Sequence, residues 1–162
     1  MFTKTLVNTL LATTLAFPLF AQTAPTVKSV DVTVDIAAVA NPKAASYWTT
    51  FEGDLEAAIL AKITDQIADD GINLIIDVSE VELSNGFDEQ MGFADTRMVA
   101  AVKMTHDTDN TRFGAYELTV DVNQVIPMLP EGTDINVLNG DTKTYYDAMV
   151  KAFANGVVER LK

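Results

Sequence analysis

Residues 72–83 read INLIIDVSEVEL, and the spacing of their apolar side chains decides the fold. Ile72, Leu74, Ile76 and Val78 recur at every second position, the period of a strand with one buried face. Val81 and Leu83 fall on the opposite parity, and a bulge near Ser79-Glu80 returns them to the core side. Immediately upstream, Asp69-Asp70-Gly71 ends a different pattern. Trp48, Phe51, Leu55, Ile59, Ile63 and Ile67 recur every three or four residues and predict a helix over about 44–68 with a single apolar stripe. Asn41 is placed to cap that helix and Pro42 to open it. Gly71 is suited to a left-handed C-cap. The acidic pair before it faces the negative end of the helix, a local conflict.

Before the helix, Val30, Val32, Val34 and Ile36 alternate with Asp31, Thr33 and Asp35. This predicts a first strand over 30–36. Two strands joined by a helix pair side by side in parallel, because the crossover carries the chain back to its starting edge.

Beyond the deciding segment, residues 84–95 (SNGFDEQMGFAD) predict a loop marked by Asn85-Gly86 and Gly92. A third strand follows over 97–105, with Met98, Ala100, Val102 and Met104 on one side. The polar run Asp107-Thr108-Asp109-Asn110 turns the chain into a fourth strand over 113–122, where Tyr116, Leu118, Val120 and Val122 alternate with Glu117, Thr119 and Asp121. These two form an antiparallel hairpin. Pro127 and Pro130 open a loop to Gly140, and a last helix from about Asp141 carries Tyr146, Met149, Val150, Phe153, Val157 and Leu161 on one face. Gly156 inside it costs about 1 kcal/mol of helix propensity, which close packing justifies. The order β-α-β-β-β-α predicts an α+β domain: a four-stranded mixed sheet, two helices on one face, the other face open.

The chain starts with a basic Met1-Phe2-Thr3-Lys4 and an apolar run from Leu6 to Phe20, broken by Pro18 and followed by Ala21. This is the pattern of an export signal, removed after Ala21 to leave Gln22 first. The run is shorter than the roughly 20 residues of a membrane span, and Asn8, Thr9, Thr13 and Thr14 dilute it, which weighs against an uncleaved anchor or a buried helix. With no cysteine, neither a lipid-modified N-terminus nor a disulfide is available. The expected organisation is a signal peptide over 1–21, a flexible mature N-terminus over 22–29 and one domain over 30–162, free in the periplasm.

The formal charge is −12, and removal of Lys4 with the signal makes it −12 − 1 = −13. Such an acidic field repels phosphate backbones and anionic headgroups, so nucleic acid is not an expected partner. Nucleotide-binding glycine loops, zinc-protease spacing and a serine elbow are all missing from the sequence. His106, the single histidine, is expected at a surface turn. Asp107-x-Asp109-x-Thr111 opens like a calcium loop, but Arg112 stands where glycine is needed and Leu118 where a bidentate glutamate is needed. A turn rich in Asp and Asn accounts for it better.

No catalytic residue, metal ligand or cofactor is therefore expected. Two contact surfaces are. One is the loop with Phe87, Met91 and Phe93, more apolar than a solvated loop requires. The other is the open sheet face, expected to carry Asp31, Thr33, Asp35, Asp77, Lys103, Thr105, Glu117, Thr119 and Asp121. In element order the chain resembles small periplasmic assembly and transport-auxiliary lipoproteins, including the lipopolysaccharide-assembly type, though it lacks their lipidated cysteine. The resemblance implies an accessory role. The expected function is that of an exported, non-enzymatic accessory or binding protein with a protein partner in the cell envelope. One alternative is a divalent-cation or small cationic ligand site built from Asp31, Asp35, Asp77, Glu117 and Asp121. A more remote one is a carboxylate-dependent envelope hydrolase.

Overall fold

A computed structural model describes residues 24–34, 49–82, 97–135 and 143–161. Outside them lie the signal segment, Asp35 and Ile36, the Asn41-Pro42 cap, Trp48, the loop residues Phe87, Met91 and Phe93, and the start of the last helix. The described elements are β1 (Val27–Val34), α1 (Phe51–Lys62), β2 (Ile72–Glu82), β3 (Arg97–Thr105), β4 (Gly114–Asp121), a short α2 (Val122–Val125) and α3 (Lys143–Glu159). The strands form one sheet in the order β1-β2-β3-β4. β1 and β2 run parallel, while β2–β3 and β3–β4 are antiparallel. The architecture is an α+β single domain with a four-stranded mixed sheet, as the periodicities imply. Among the described residues, no helix is long and apolar enough to cross a membrane.

The core lies between the sheet and the two long helices. Leu74, Ile76, Val78, Met98, Ala100, Val102, Leu118 and Val120 supply the sheet side. Phe51, Leu55 and Ile59 of α1 and Met149, Phe153 and Val157 of α3 supply the other, each set spaced for one helical face. The register of β2 on β3 shifts between Val78 and Glu80, so that Val78 pairs with Ala100 and Val81 with Met98. That is the bulge demanded by the parity change in the sequence.

The first strand and the first helix differ in their bounds from the sequence reading, the helix beginning at Phe51 and not near Ala44. β1 starts at Val27, three residues earlier than predicted and inside the stretch expected to be loose. Val27 is fully buried, and Ile72 N–H donates to the Thr26 carbonyl. The helix ends at Lys62 instead of Ala68. Thr64–Gln66 form a 3-10 turn, and Ile67, predicted on the apolar stripe, makes an isolated parallel bridge with Val27 and is 47% exposed. Gly71 is consequently no helix cap: among the described residues only Gly132 has positive φ. A Cβ on Gly71 would instead lie 2.4 Å from the Val27 carbonyl carbon, so glycine is needed there for close passage of β1. This removes the dipole conflict, because Asp69 and Asp70 sit seven and eight residues past the helix end.

The proline region after β4 is also more ordered than a loop. Asp121 accepts a hydrogen bond from Asn123 N–H, and Gln124 reaches back to Asp121 N–H, a capping box that starts α2. Pro127 then lies in a 3-10 turn over Ile126–Met128.

Candidate functional site

The sheet face away from the helices carries the odd-numbered residues of β1 from Ser29 onward, of β3 and β4, and of β2 ahead of its bulge. Pairing sets them in rows. Asp31, Ile75, Lys103 and Ala115 form one row; Thr33, Asp77, Ala101 and Glu117 form the next. Val99 then pairs with Thr119, and Arg97 with Asp121. Ile75 and Val99 are half-buried along the middle, and Ala101 and Ala115 are exposed beside them. Small and apolar side chains are therefore interleaved with charges, Asp77 and Lys103 standing diagonally to one another on the two central strands.

The predicted acidic residues on this face do not converge. Asp77 and Glu117 share a row but stand two strands apart, about 10 Å at the usual strand spacing. Asp31 is diagonal to Asp77, about 7–8 Å away by ordinary sheet geometry. Lys103 lies diagonal to both Asp77 and Glu117, and Arg97 faces Asp121, so the face is mixed in sign, not uniformly acidic. Asp121 turns its carboxylate to the α2 cap. Among the described residues no three His, Asp or Glu side chains are placed to hold a metal ion. The expected cation set has no common centre there, and its remaining member, Asp35, lies outside the described residues, as do Phe87, Met91 and Phe93 of the other expected surface.

A second polar assembly gathers at the end of the sheet where β1 and β2 begin and β3 ends. Lys28 Nζ donates to Asp107, and Asn73 Nδ2 donates to the other Asp107 oxygen at 2.8 Å while its Oδ1 accepts from Ser29. These contacts hold the Asp107 carboxyl below its usual range, chiefly through the Lys28 hydrogen bond, and raise Lys28. Asp109 is lowered likewise by the hydrogen bonds from Thr111. His106 is not the surface residue the sequence suggested: its side chain is only 5% exposed. Its Nδ1 accepts from the N–H groups of Thr108 and Asp109, and its Nε2 lies 3.1 Å from Asp70. An Nδ1 that accepts two N–H bonds leaves the ring proton on Nε2, directed at Asp70. Both nitrogens are committed to holding the turn, which makes His106 a structural anchor.

The helix side offers a third grouping. Tyr146 donates to Asp54 at 2.6 Å, and Thr50 donates to the same carboxylate. Burial, reinforced by Asp54, pushes the Tyr146 phenol above its usual range. Tyr116 is also raised by burial, offset by Arg160, whose guanidinium lies 4.6 Å over its ring.

The two outer edges of the sheet differ. On β1, Val32 N–H donates to Glu56 and Val34 N–H to Glu52, each at 3.1 Å. Carboxylates from α1 therefore occupy donors that an added strand would use. On β4, Ala115, Glu117 and Thr119 are exposed. A groove of about 450 Å³ runs beside that edge, between β4, the α2 region and α3. The sequence reading missed both edge features. The Asp121-x-x-Gln124 spacing was the one local signal for the start of this region.

No known protein-family model matches the chain, and no curated protein matches it. Among solved structures it is similar to protein XCC0632 from Xanthomonas campestris, of the DUF330 family model. That similarity has 16% identity and a TM-score of 0.44, and it covers 90% of this chain and 84% of the other.

Proposed function

We propose that this chain is an exported accessory protein of the cell envelope that acts by binding a protein partner. The observation that carries the reading is the sheet face that no described helix covers, where Ile75, Val99, Ala101 and Ala115 are interleaved with exposed charges of both signs. A surface of that kind suits contact between proteins, which are mixed in polarity and buried as extended patches. Catalysis, by contrast, calls for a water-excluding cleft with a desolvated group, and Asp77 and Glu117 are exposed on an open face. Export rests on residues 1–21, and the loop with Phe87, Met91 and Phe93 belongs to the same reading as a second contact surface.

The test is in-cell photo-crosslinking of the full chain from a benzophenone side chain at Ala101, with exposed Ala57 on the outer side of α1 as control. A defined adduct from Ala101 and none from Ala57 is the expected result, and no adduct from Ala101 overturns the open-face reading. Phe87→Asp with Phe93→Asp should reduce the adduct if the loop contributes. Mass spectrometry of the protein from the periplasmic fraction should find Gln22 first. A cytoplasmic chain that keeps Met1 removes export from the proposal.

A further inference from the structure

We propose that the free edge of β4 accepts an extended, positively charged segment of a partner protein as a fifth strand. The inference deepens the binding reading and rests on it, but it does not depend on the open face being the contact.

Backbone direction along β4 follows from two hydrogen bonds. Asp121 N–H goes to Gln124 Oε1 at 2.9 Å, and the Glu117 carbonyl accepts from Arg160 at 3.4 Å. Both partners lie outside the sheet, so odd positions direct their backbone groups away from β3. Ala115, Glu117 and Thr119 thus present three outward N–H groups, none with a partner among the described residues. Such a row is a template for strand addition. On the opposite edge Glu52 and Glu56 already hold the Val32 and Val34 N–H groups, which leaves β4 as the more available side.

The neighbouring groove supplies the rest of the seat. Leu118, Val120, Met128, Ala152 and Gly156 line it, at the place where inward side chains of a fifth strand would meet α3. Charge selects the occupant. Glu117 is an exposed carboxylate on the open-face side of the edge, while Glu159 and Arg160, of opposite sign, offset one another on the α3 rim of the groove. A second copy is disfavoured: antiparallel pairing of two β4 edges about Glu117 sets like charges opposite, between chains that each carry −12. An incoming strand that alternates small apolar residues toward the groove with Lys or Arg on the other side meets both demands.

The probe is a short capped peptide alternating Val and Lys, titrated into isotope-labelled protein and followed by amide shifts and hydrogen exchange. Binding is expected to shift and protect the amides of Ala115, Glu117 and Thr119. Glu117→Lys should weaken it about tenfold or more. Thr119→Pro removes one outward N–H without touching the β3 ladder and should do the same, while circular dichroism confirms that both variants stay folded. A peptide N-methylated at alternate amides, and one with Glu for Lys, should bind at least about tenfold more weakly. The proposal is overturned by equal binding of the N-methylated peptide, which would mean that the groove takes side chains alone. It is also overturned by shifts centred on Ala101, by no binding at about millimolar peptide, or by dimerisation of the chain through this edge. Crosslinks from Ala101 alongside a failed titration would dismiss the fifth strand and leave the binding reading standing.

Discussion

Gly71 and Gly156 show how one residue type answers two packing problems. A Cβ at Gly71 would meet backbone, the Val27 carbonyl carbon at 2.4 Å, whereas a Cβ at Gly156 would meet the two Leu118 methyls at 3.2 Å. Backbone in a paired strand cannot move aside, but a leucine beside an open groove can. Gly71→Ala is therefore expected to destabilise by about 1–3 kcal/mol, the usual overpacking cost. Gly156→Ala should lie within about 0.5 kcal/mol of the parent, because a gain of about 1 kcal/mol in helix propensity offsets the readjustment. Urea melts of both variants check this, and equal losses would contradict it. Tyr146 carries a residue-scale prediction of another kind. Its phenol holds the proton more tightly folded than unfolded, so its contribution is complete below the ordinary phenol value of about 10 and is lost as pH rises through the higher folded value. Stability should fall above about pH 10, and Tyr146→Phe should flatten that fall. A tyrosinate titration in which Tyr146 ionises in the ordinary range would refute the assignment.

Among the elements, β1 depends most on a neighbour for its protection. An edge strand with free N–H groups is prone to pair with other chains, and Glu52 and Glu56 are spaced one turn apart on α1 to reach alternate N–H groups of the strand. Replacing both with alanine should cost about 1–2 kcal/mol in total, the charge-assisted bonds being discounted for partial exposure. It should also make the protein associate with rising concentration, read by light scattering. A variant that stays monomeric would show that those carboxylates do not guard the edge. The helix itself was legible from its stripe, yet its C-terminus was not. Ile63 continues the pattern and is buried, while Ile67 fits the same spacing and is 47% exposed in a bridge to Val27. Periodicity cannot tell a helical turn from an extended residue that falls on the same count. A local cue went unread after β4, where the Asp121-x-x-Gln124 spacing forms a capping box.

For the whole molecule, stability rests on one core shared by α1, α3 and the inner sheet face, with no cysteine available to brace it. Ile59 is fully buried in that core. Ile59→Ala is expected to cost about 2–5 kcal/mol, a large share of the roughly 5–15 kcal/mol typical of a domain, and a denaturant melt within about 0.5 kcal/mol of the parent would contradict the packing. Reductant should leave the melt unchanged.

What the chain determined by itself was whatever depends on neighbours a few residues apart. Alternation placed all four strands, including the bulge before Val81, and the stripe of Phe51, Leu55 and Ile59 placed the first helix on the core. Those patterns record which side of each element is buried. They also made the parallel β1–β2 pair and the β3–β4 hairpin legible, since connection length constrains direction. Which side chains meet across the fold was decided only by tertiary structure. The candidate carboxylates Asp31, Asp77, Glu117 and Asp121 share one face by parity, but strand order spreads them over three strands, sets Lys103 and Arg97 among them and gives Asp121 to a helix cap. His106 looked like a solvated turn residue, but its side chain is buried and its Nε2 meets Asp70, thirty-six positions away. The partly occupied β1 edge and the open β4 edge are likewise products of docking, because a backbone N–H is the same group everywhere along the chain until packing supplies or withholds its partner.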